Sequence, residues 1–325
     1  MFDTLSVWYL FFGGTSSGVL LLCSFVSLFF IREPFGSMAH YATVYQKQVG
    51  QTINAGFIAG EALLLTGIVC LLLDLGRSDR LLNLLISPNF SILSVGAYAL
   101  VLLAILGFSL VLPRLFYLPC VSTVFVRTAE TATLVVAFVS MLYTGLLLFS
   151  MKAVHFWDNP LIPILFVFSS LSSAIALLAI ISFFSEKNAW YAPMLQKLTL
   201  VDLALIILEI ISIAVFLLLS RNAESIAAQD SLANLLSGKK ALTWWFGFVI
   251  LGMLAPLTLE LLFIKGNKLF AQAGLAIVAV MILVGAFCLR DGLVGVGVHS
   301  DAADSFASSE LQNTSPQRAS MMLYE

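Results

Sequence analysis

The stretch from Ile68 to Asn89, IVCLLLDLGRSDRLLNLLISPN, decides which class of fold the protein adopts. An apolar run ends at Asp74, charged residues follow, and the next apolar run begins after Asn89. This order predicts an exit from a membrane, a turn and a return into the membrane. The charged residues of the turn lie within about two helical turns of one another; they are Asp74, Arg77, Asp79 and Arg80.

Two interpretations of this turn are open. Charges of both signs at this spacing pair and hydrogen-bond with little strain, which gives a rigid loop that presents a fixed surface to a partner. Alternatively, Arg77 and Arg80 simply anchor two helices at the lipid headgroups, where arginine side chains are common. Composition alone favours the second interpretation.

The overall composition is that of an integral membrane protein. The sequence is 60% hydrophobic and 10% charged, with a mean hydropathy of +1.03, whereas soluble domains carry about 25% charged residues. Several apolar runs exceed the roughly 20 residues that cross a bilayer, and a backbone without water there is satisfied by helices. The formal charge of −2 and the lack of a basic stretch argue against nucleic-acid binding.

We predict an all-α integral membrane protein with about eight transmembrane helices joined by short connections. A polar tail, 291–325, follows the last span and is expected to be extended or partly disordered. The N-terminal apolar run lacks a basic region before it and is too long for a cleaved signal peptide, which predicts a retained span. The predicted spans are 6–31, 52–74, 91–112, 130–153, 161–184, 199–220, 242–264 and 269–290.

Small residues form a seam in two of the spans. Gly14 and Gly18 have the spacing that lets helix backbones approach closely, and Ser169–Ala174 repeats the theme in the fifth span. Either the seams pack helices together, or the gap in the first span holds a flat ligand ring with Trp8 or Tyr9 at its edge.

Acidic residues inside the spans form the second polar feature. Glu61, Glu209 and Glu260 lie within predicted spans, while Glu130 and Asp202 lie near span starts, and no Lys or Arg lies deep in any span to pair with them. Such groups cost about 2.5–3.5 kcal/mol at mid-membrane, so they are expected to face the bundle interior. They are either protonated groups bonded to a neighbouring helix or a proton relay of Glu61, Glu209 and Glu260.

The remaining chemistry of the sequence excludes several functions. None of the three histidines, His40, His155 and His299, lies deep in a span, whereas a bis-histidine di-haem site needs four. The four cysteines are far apart without a CxxC pair, so we expect no iron–sulfur or zinc site in this protein.

The Lys and Arg residues, Arg114 and Arg290 among them, are equally divided between the two predicted sides of the membrane. When Arg318 is left out, the side that carries the termini has fewer positive charges, which favours an outer location for the termini.

The motifs together resemble the NrfD/PsrC family, the haem-free membrane anchors of polysulfide-reductase-type oxidoreductases. The resemblance covers most of residues 5–290, and its most specific part is similar to a DLGRPxRFWN pattern after the second span. The matching segments are Asp74–Arg77, Arg80 and Asn83–Leu85, with Tyr9-Leu10-Phe11, the Gly13–Gly18 seam, Tyr143-Thr144-Gly145, and His155–Leu161 followed by Ser169–Ser173.

The resemblance implies a membrane domain, 1–290, of two four-helix bundles (about 6–153 and 161–290). Such a subunit is not catalytic alone. It binds menaquinone or ubiquinone in the first bundle and docks a ferredoxin-like iron–sulfur subunit. That partner relays electrons to a catalytic, often molybdopterin, subunit, as in anaerobic respiration. The implied location is the cytoplasmic membrane of a bacterium or archaeon.

Carried over by position, the resemblance also implies site residues. The quinone contacts are Ser6, Tyr9, Glu61 and Tyr143, and Asp74, Arg77 and Arg80 serve the pocket mouth or the partner interface. The best-known members have a histidine at the position of Tyr9, an asparagine at that of Ser6 and a proline at that of Ser78.

Two other functions stay open from the residues. A proton- or ion-coupled secondary transporter would bind its ion at Glu61, Glu209 and Glu260 while two halves of the molecule rock against each other. A purely structural anchor without a quinone site is the third alternative.

Overall fold

The computed structural model describes residues 4–30, 44–74, 91–116, 122–184, 192–223, 225–264 and 272–297. Within these ranges all regular structure is helical, and eight helices are long and apolar enough to cross a membrane, which confirms the predicted fold class. We number these spans one to eight: Thr4–Phe30, Gly50–Asp74, Ile92–Phe116, Thr123–Phe149, Leu161–Phe184, Lys197–Arg221, Thr243–Ile264 and Gly274–Gly295.

Several helices are longer than their membrane-crossing parts. The helices that contain spans two, six and eight are Val44–Asp74, Ala192–Arg221 and Gln272–Gly295. Asp74 ends its helix as predicted. The long connection after span six contains an additional helix, Ile226–Leu236, which we call the connecting helix.

Three predicted boundaries are wrong for one shared reason. Span three continues past Pro113 to Phe116, span four begins at Thr123 instead of 130, and the helix of span eight runs to Gly295, so the predicted tail starts too early. In each case a charged residue stopped the apolar pattern, although the structure buries Arg114, Glu130 and Arg290 against other helices. A hydropathy pattern scores each residue by itself, so it ends a span at a charged residue even when a neighbouring helix neutralises that charge.

Span seven has an unusual backbone. Its first part, Thr243–Leu254, is a π-helix, and an α-helix, Ala255–Ile264, continues it. Long π-helices are rare. Gly252 lies directly against Gly285 of span eight, where a Cβ added at Gly252 would come within 2.5 Å of the Gly285 Cα atom. The absence of both side chains lets spans seven and eight approach at backbone distance.

The contacts between spans run within the first four spans, within the last four, and between these two groups. Span one packs against two and four, and span three packs against two and four; span five packs against six and eight, and span seven packs against the same two. Spans one and four also pack against span five, and span one touches span eight. Span one therefore lies at the junction of the two groups.

Consecutive spans cross in opposite directions, so the fold has two ends. At the Tyr9 end, where span one begins, the Trp157 Nε1 atom donates to the Leu293 carbonyl over 2.9 Å. At the Glu130 end, where span one finishes, the Ser27 hydroxyl donates to Glu130 over 2.6 Å.

Candidate functional site

Two tyrosines lie together at the Tyr9 end of the first four spans. Tyr9 of span one and Tyr143 of span four are both buried, and their phenol groups are close enough to interact. The Tyr9 hydroxyl has no hydrogen-bond partner of good geometry among the described residues. The structure thus brings together two of the predicted quinone contacts, which we call the tyrosine pair.

Gly96 of span three makes room for Tyr143. A Cβ added at Gly96 would overlap the Tyr143 ring, whereas one added at Gly13 would make ordinary contact, at 3.6 Å, with the Tyr9 ring. Because every other residue type carries a Cβ atom, the position of Tyr143 depends on Gly96. Gly96 was not predicted from the sequence, since no motif around it gave a signal.

Ser6 and Asp74, predicted separately, are hydrogen-bonded to each other. The Ser6 hydroxyl donates to Asp74 Oδ2 over 2.7 Å and ties the start of span one to the end of span two. Asp74 is partly exposed, whereas Ser6 is buried. This pair closes the Tyr9 end of the first four spans on the side where the charged turn begins.

Some predicted residues lie outside the described part of the protein. They include the turn residues Arg77 and Arg80, with the rest of the motif after Asp74. The others are Ser78, Asp79, Asn83–Leu85, Cys120, His40, His299, Arg318 and the tail beyond 297.

Glu61 is not beside the tyrosine pair. At 1.5 Å per helical residue it lies roughly 20 Å from the end of span two, while Tyr143 lies roughly 9 Å from the same end of its own span. Glu61 is buried against span three, where a Cβ added at Gly107 would overlap its carboxyl group. Neither of its oxygens has a hydrogen-bond partner among the described residues.

Glu130 has two arginine partners that the sequence did not predict, because Arg114 and Arg127 lie near the ends of their spans. Arg114 is buried and its Nη2 atom lies 2.7 Å from Glu130 Oε1, while Arg127 reaches Glu130 Oε2 at 3.2 Å. The Arg114 guanidinium also donates to Asn54 and stacks 4.1 Å from the centre of the Phe57 ring. Arg114 is accommodated because the carboxylate neutralises it and these groups use its donors.

Arg290 lies five residues before the end of span eight and is fully buried, although the sequence places it at the end of that span. Its guanidinium donates to the Leu10 carbonyl over 3.2 Å, to Ser170 over 2.9 Å and to Ser169 over 3.2 Å. A fourth bond, of 2.8 Å, goes to the Ala286 carbonyl of its own helix. Arg290 therefore joins spans one, five and eight at one point.

The two small-residue seams meet around this arginine. A Cβ added at Gly14 would lie 2.8 Å from Arg290 Nη2, and one added at Gly18 would lie 2.5 Å from the Ser170 carbonyl oxygen. The seams are thus a helix-packing contact between spans one and five, as the first of the two interpretations expected. Their second role, making room for a guanidinium, left no signal in the sequence.

Three buried carboxyl groups form a cluster within the last four spans. Asp202 and Glu260 lie close enough to interact, and Ser172 lies beside Asp202. Glu209 lies beside Ser169 and within electrostatic range of Asp202 and Arg290. The structure brings together the predicted Glu209 and Glu260 and adds Asp202, whose separation of seven residues from Glu209 places both on one helix face.

Asp202 and Glu260 line a small cavity at the Glu130 end. Its volume is about 20 Å³, which is enough for one water molecule. Thr199 is the third polar residue of the lining, and the rest is apolar, from spans five, six and eight. One oxygen each of Asp202, Glu209 and Glu260 has no hydrogen-bond partner in the described part of the protein.

Comparison with known proteins identifies the family. The family described as "Polysulphide reductase, NrfD" matches residues 1–298. The NrfD homolog of Haemophilus influenzae is 25% identical over 260 residues, and a polysulfide reductase subunit of Wolinella succinogenes is 27% identical over 255 residues. Each of these two matches covers 73% of the present sequence and 79% of the relative.

A third relative matches over a shorter region. Protein NrfD of Escherichia coli is 29% identical over 136 residues, which is 41% of the present sequence and 42% of the relative. The family match extends over all the described helices, so the resemblance predicted from the motifs is confirmed. The protein is a multi-pass membrane protein that belongs to the polysulphide reductase NrfD family.

Proposed function

We propose that the protein is the quinone-binding membrane subunit of a respiratory oxidoreductase complex. The observation that carries the proposal is the tyrosine pair, Tyr9 and Tyr143, buried at one end of the first four spans, where the Tyr9 hydroxyl has no well-formed hydrogen bond to the described residues. Family membership supports it, because one relative is named as part of a polysulfide reductase.

The residues fit a quinone. Such a ligand needs an apolar slot with a few well-placed polar groups, and the Tyr9 hydroxyl is a buried donor without a well-formed hydrogen bond to the described residues. When bound, a quinol supplies two electrons and two protons on oxidation, and a quinone takes up the same numbers on reduction. Tyr9 and Tyr143 would orient the ring by hydrogen bonds to its oxygens.

Asp74 would exchange the protons with water. It is a partly exposed carboxyl group at the Tyr9 end of the first four spans, and Ser6 holds it by a hydrogen bond of 2.7 Å. Electrons would pass to a ferredoxin-like iron–sulfur subunit and onward to a catalytic, often molybdopterin, subunit. We place Arg77 and Arg80 at that interface, and the whole protein in the cytoplasmic membrane with its termini on the outer side.

The test is quinol-dependent turnover of the complex purified through a tag on this subunit. We expect about one quinone per subunit by mass spectrometry and an iron–sulfur protein in the same preparation. Tyr9→Phe and Tyr143→Phe each remove one hydroxyl and should lower turnover about tenfold, equivalent to about 1.4 kcal/mol.

The matched control is Tyr98→Phe, because Tyr98 of span three is 37% exposed on the outer surface of the helices. It should leave turnover unchanged. If both tyrosine variants retain full turnover and full quinone content, the tyrosine pair is not the quinone site.

A proton- or ion-coupled transporter is the second candidate. It is favoured by the cluster of Asp202, Glu209 and Glu260, whose unpartnered oxygens are available to an ion. This function requires that the purified protein alone drive substrate uptake in proteoliposomes under a pH gradient. Proteoliposomes that show no uptake over a panel of substrates would contradict it.

A further inference from the structure

The inference concerns the last four spans and rests on the proposed quinone site. We propose that Asp202 and Glu260 form a proton-loading site at the Glu130 end of the protein. Glu209 and Arg290 connect this site to span one beside the tyrosine pair.

A small cavity lies beside Asp202 and Glu260. Asp202 and Glu260 are both more than nine-tenths buried, both line the cavity, and each has an oxygen without a partner in the described ranges. Two neighbouring carboxyl groups in apolar surroundings repel each other when both are ionised. The pair is therefore expected to hold at least one proton, and each group has an oxygen without a partner in the described ranges beside a space for water.

The lining and the volume of the cavity indicate which ligand it can bind. Calcium takes six to eight oxygen ligands and magnesium takes six, whereas the cavity lining offers only Asp202, Glu260 and Thr199 as polar residues. A volume of about 20 Å³ holds one water molecule and no hydrated metal ion. The lining thus favours a proton, carried by water, over a metal cation.

Span six carries both Asp202 and Glu209. Asp202 and Glu209 are about 10 Å apart along the helix axis and on the same face. Opposite them, span five presents Ser172 to Asp202 and Ser169 to Glu209. Hydroxyl groups both donate and accept hydrogen bonds, so serines beside each carboxyl group provide steps for a proton.

Arg290 joins the cluster to span one. Ser169 accepts a hydrogen bond from Arg290, and Arg290 also donates to the carbonyl of Leu10, the residue after Tyr9. The charge of Glu209 acts directly on Arg290. A proton gained or lost at Glu209 therefore alters the cation that holds span one next to the tyrosine pair.

The charges around this path are few among the described residues. Span seven contributes Glu260, span eight contributes Arg290, and span five contributes only serine hydroxyl groups at this level. Arg290 is thus the one nearby cation among the described residues that can balance the negative charge of the three carboxyl groups when they lose protons. Quinone chemistry at one end and proton loading at the other are expected to be coupled through Arg290.

The test uses the purified complex in proteoliposomes with a pH-sensitive dye. We expect more protons per electron to cross the membrane than quinone chemistry alone accounts for. Glu260→Gln and Asp202→Asn should remove this excess at least tenfold, while turnover with a protonophore present stays above half. Asp230→Asn, on the exposed face of the connecting helix, is the matched control and should keep the excess.

Two results overturn the inference while leaving the quinone site intact. One is a wild-type proton count fully explained by quinone chemistry. The other is an excess that persists unchanged in both Glu260→Gln and Asp202→Asn.

A second measurement needs no turnover. Dicyclohexylcarbodiimide adds covalently to protonated carboxyl groups in apolar surroundings, and mass spectrometry of treated membranes locates the adduct. We expect an adduct on Glu260 or Asp202 and at least tenfold less on Glu130, which is paired with two arginines. An adduct without any quinol turnover contradicts the quinone site and supports the loading site; no adduct on either residue overturns the loading site.

Discussion

Glu130 and the cluster of Asp202, Glu209 and Glu260 are both buried and acidic, but their surroundings differ. Glu130 has Arg114 on one oxygen and Arg127 on the other, and Ser27 donates a further bond. The cluster has three carboxyl groups and one nearby arginine, and each group keeps an oxygen without a partner within the described ranges. One site is saturated with donors, and the other is not.

The difference teaches how to separate a structural acid from a functional one. A buried charge costs several kcal/mol unless partners replace the water it loses, and an unpaired buried polar group costs about 1–3 kcal/mol. At Glu130, hydrogen-bond partners replace the lost water, whereas in the cluster they replace it only in part. Unmet hydrogen-bonding capacity is what allows a proton or a water molecule to bind there.

The largest effect is expected at the saturated site. Glu130→Ala leaves Arg114 and Arg127 without their carboxylate, and breaking a buried ion pair in this way costs about 3–5 kcal/mol. The free energy of unfolding in detergent, measured by titration with SDS, checks this value. Lys240→Ala is the control, because the Lys240–Asp291 bridge is partly exposed and is worth only about 0.2–1 kcal/mol. Equal losses in both variants would contradict the comparison.

Arg290→Lys tests the junction between the two groups of spans. Lysine keeps the charge but lacks the planar fork that reaches Leu10, Ser169 and Ser170 together. We expect a loss of about 1.5–3 kcal/mol, the range for hydrogen bonds to charged groups, by the same titration. A loss below about 0.5 kcal/mol would show that the charge alone fastens the junction.

The smallest effect is expected in the unsaturated cluster. Glu260→Gln preserves shape and gives Asp202 an amide donor, so the free energy of unfolding should change by less than about 1 kcal/mol. Glu130→Gln, the same chemical change at the saturated site, should cost about twice as much or more because two arginines lose a negative partner. A larger loss in the free energy of unfolding for Glu260→Gln than for Glu130→Gln would contradict the comparison.

The spans were predictable because long apolar runs leave little choice of structure in a membrane. Asp74 ended its helix where the pattern indicated. The ends of spans three and eight were not predictable, since Arg114 and Arg290 are neutralised or hydrogen-bonded by residues far away in sequence. A hydropathy pattern reads each residue alone and has no term for such partners.

The site was predictable in part, for a related reason. Ser6 and Asp74 were each identified from a motif, but their hydrogen bond spans 68 positions and follows only from the packing of spans one and two. Asp202 was set aside as a residue near a span start, although its spacing from Glu209 placed it on the same face. Glu61 was grouped with the tyrosines by resemblance, whereas the structure places it roughly 10 Å deeper.

The bond between Arg290 and Leu10 joins residues 280 positions apart, and this has a consequence for biogenesis. Synthesis proceeds from the N-terminus, so span one enters the bilayer long before span eight has been translated. Until span eight is in place, the glycine seam of span one packs against Ser170 without the hydrogen bonds of the Arg290 guanidinium. Span eight, which is synthesised after span one, is therefore the span whose arginine completes this contact, and a polypeptide truncated before Arg290 would lack these hydrogen bonds.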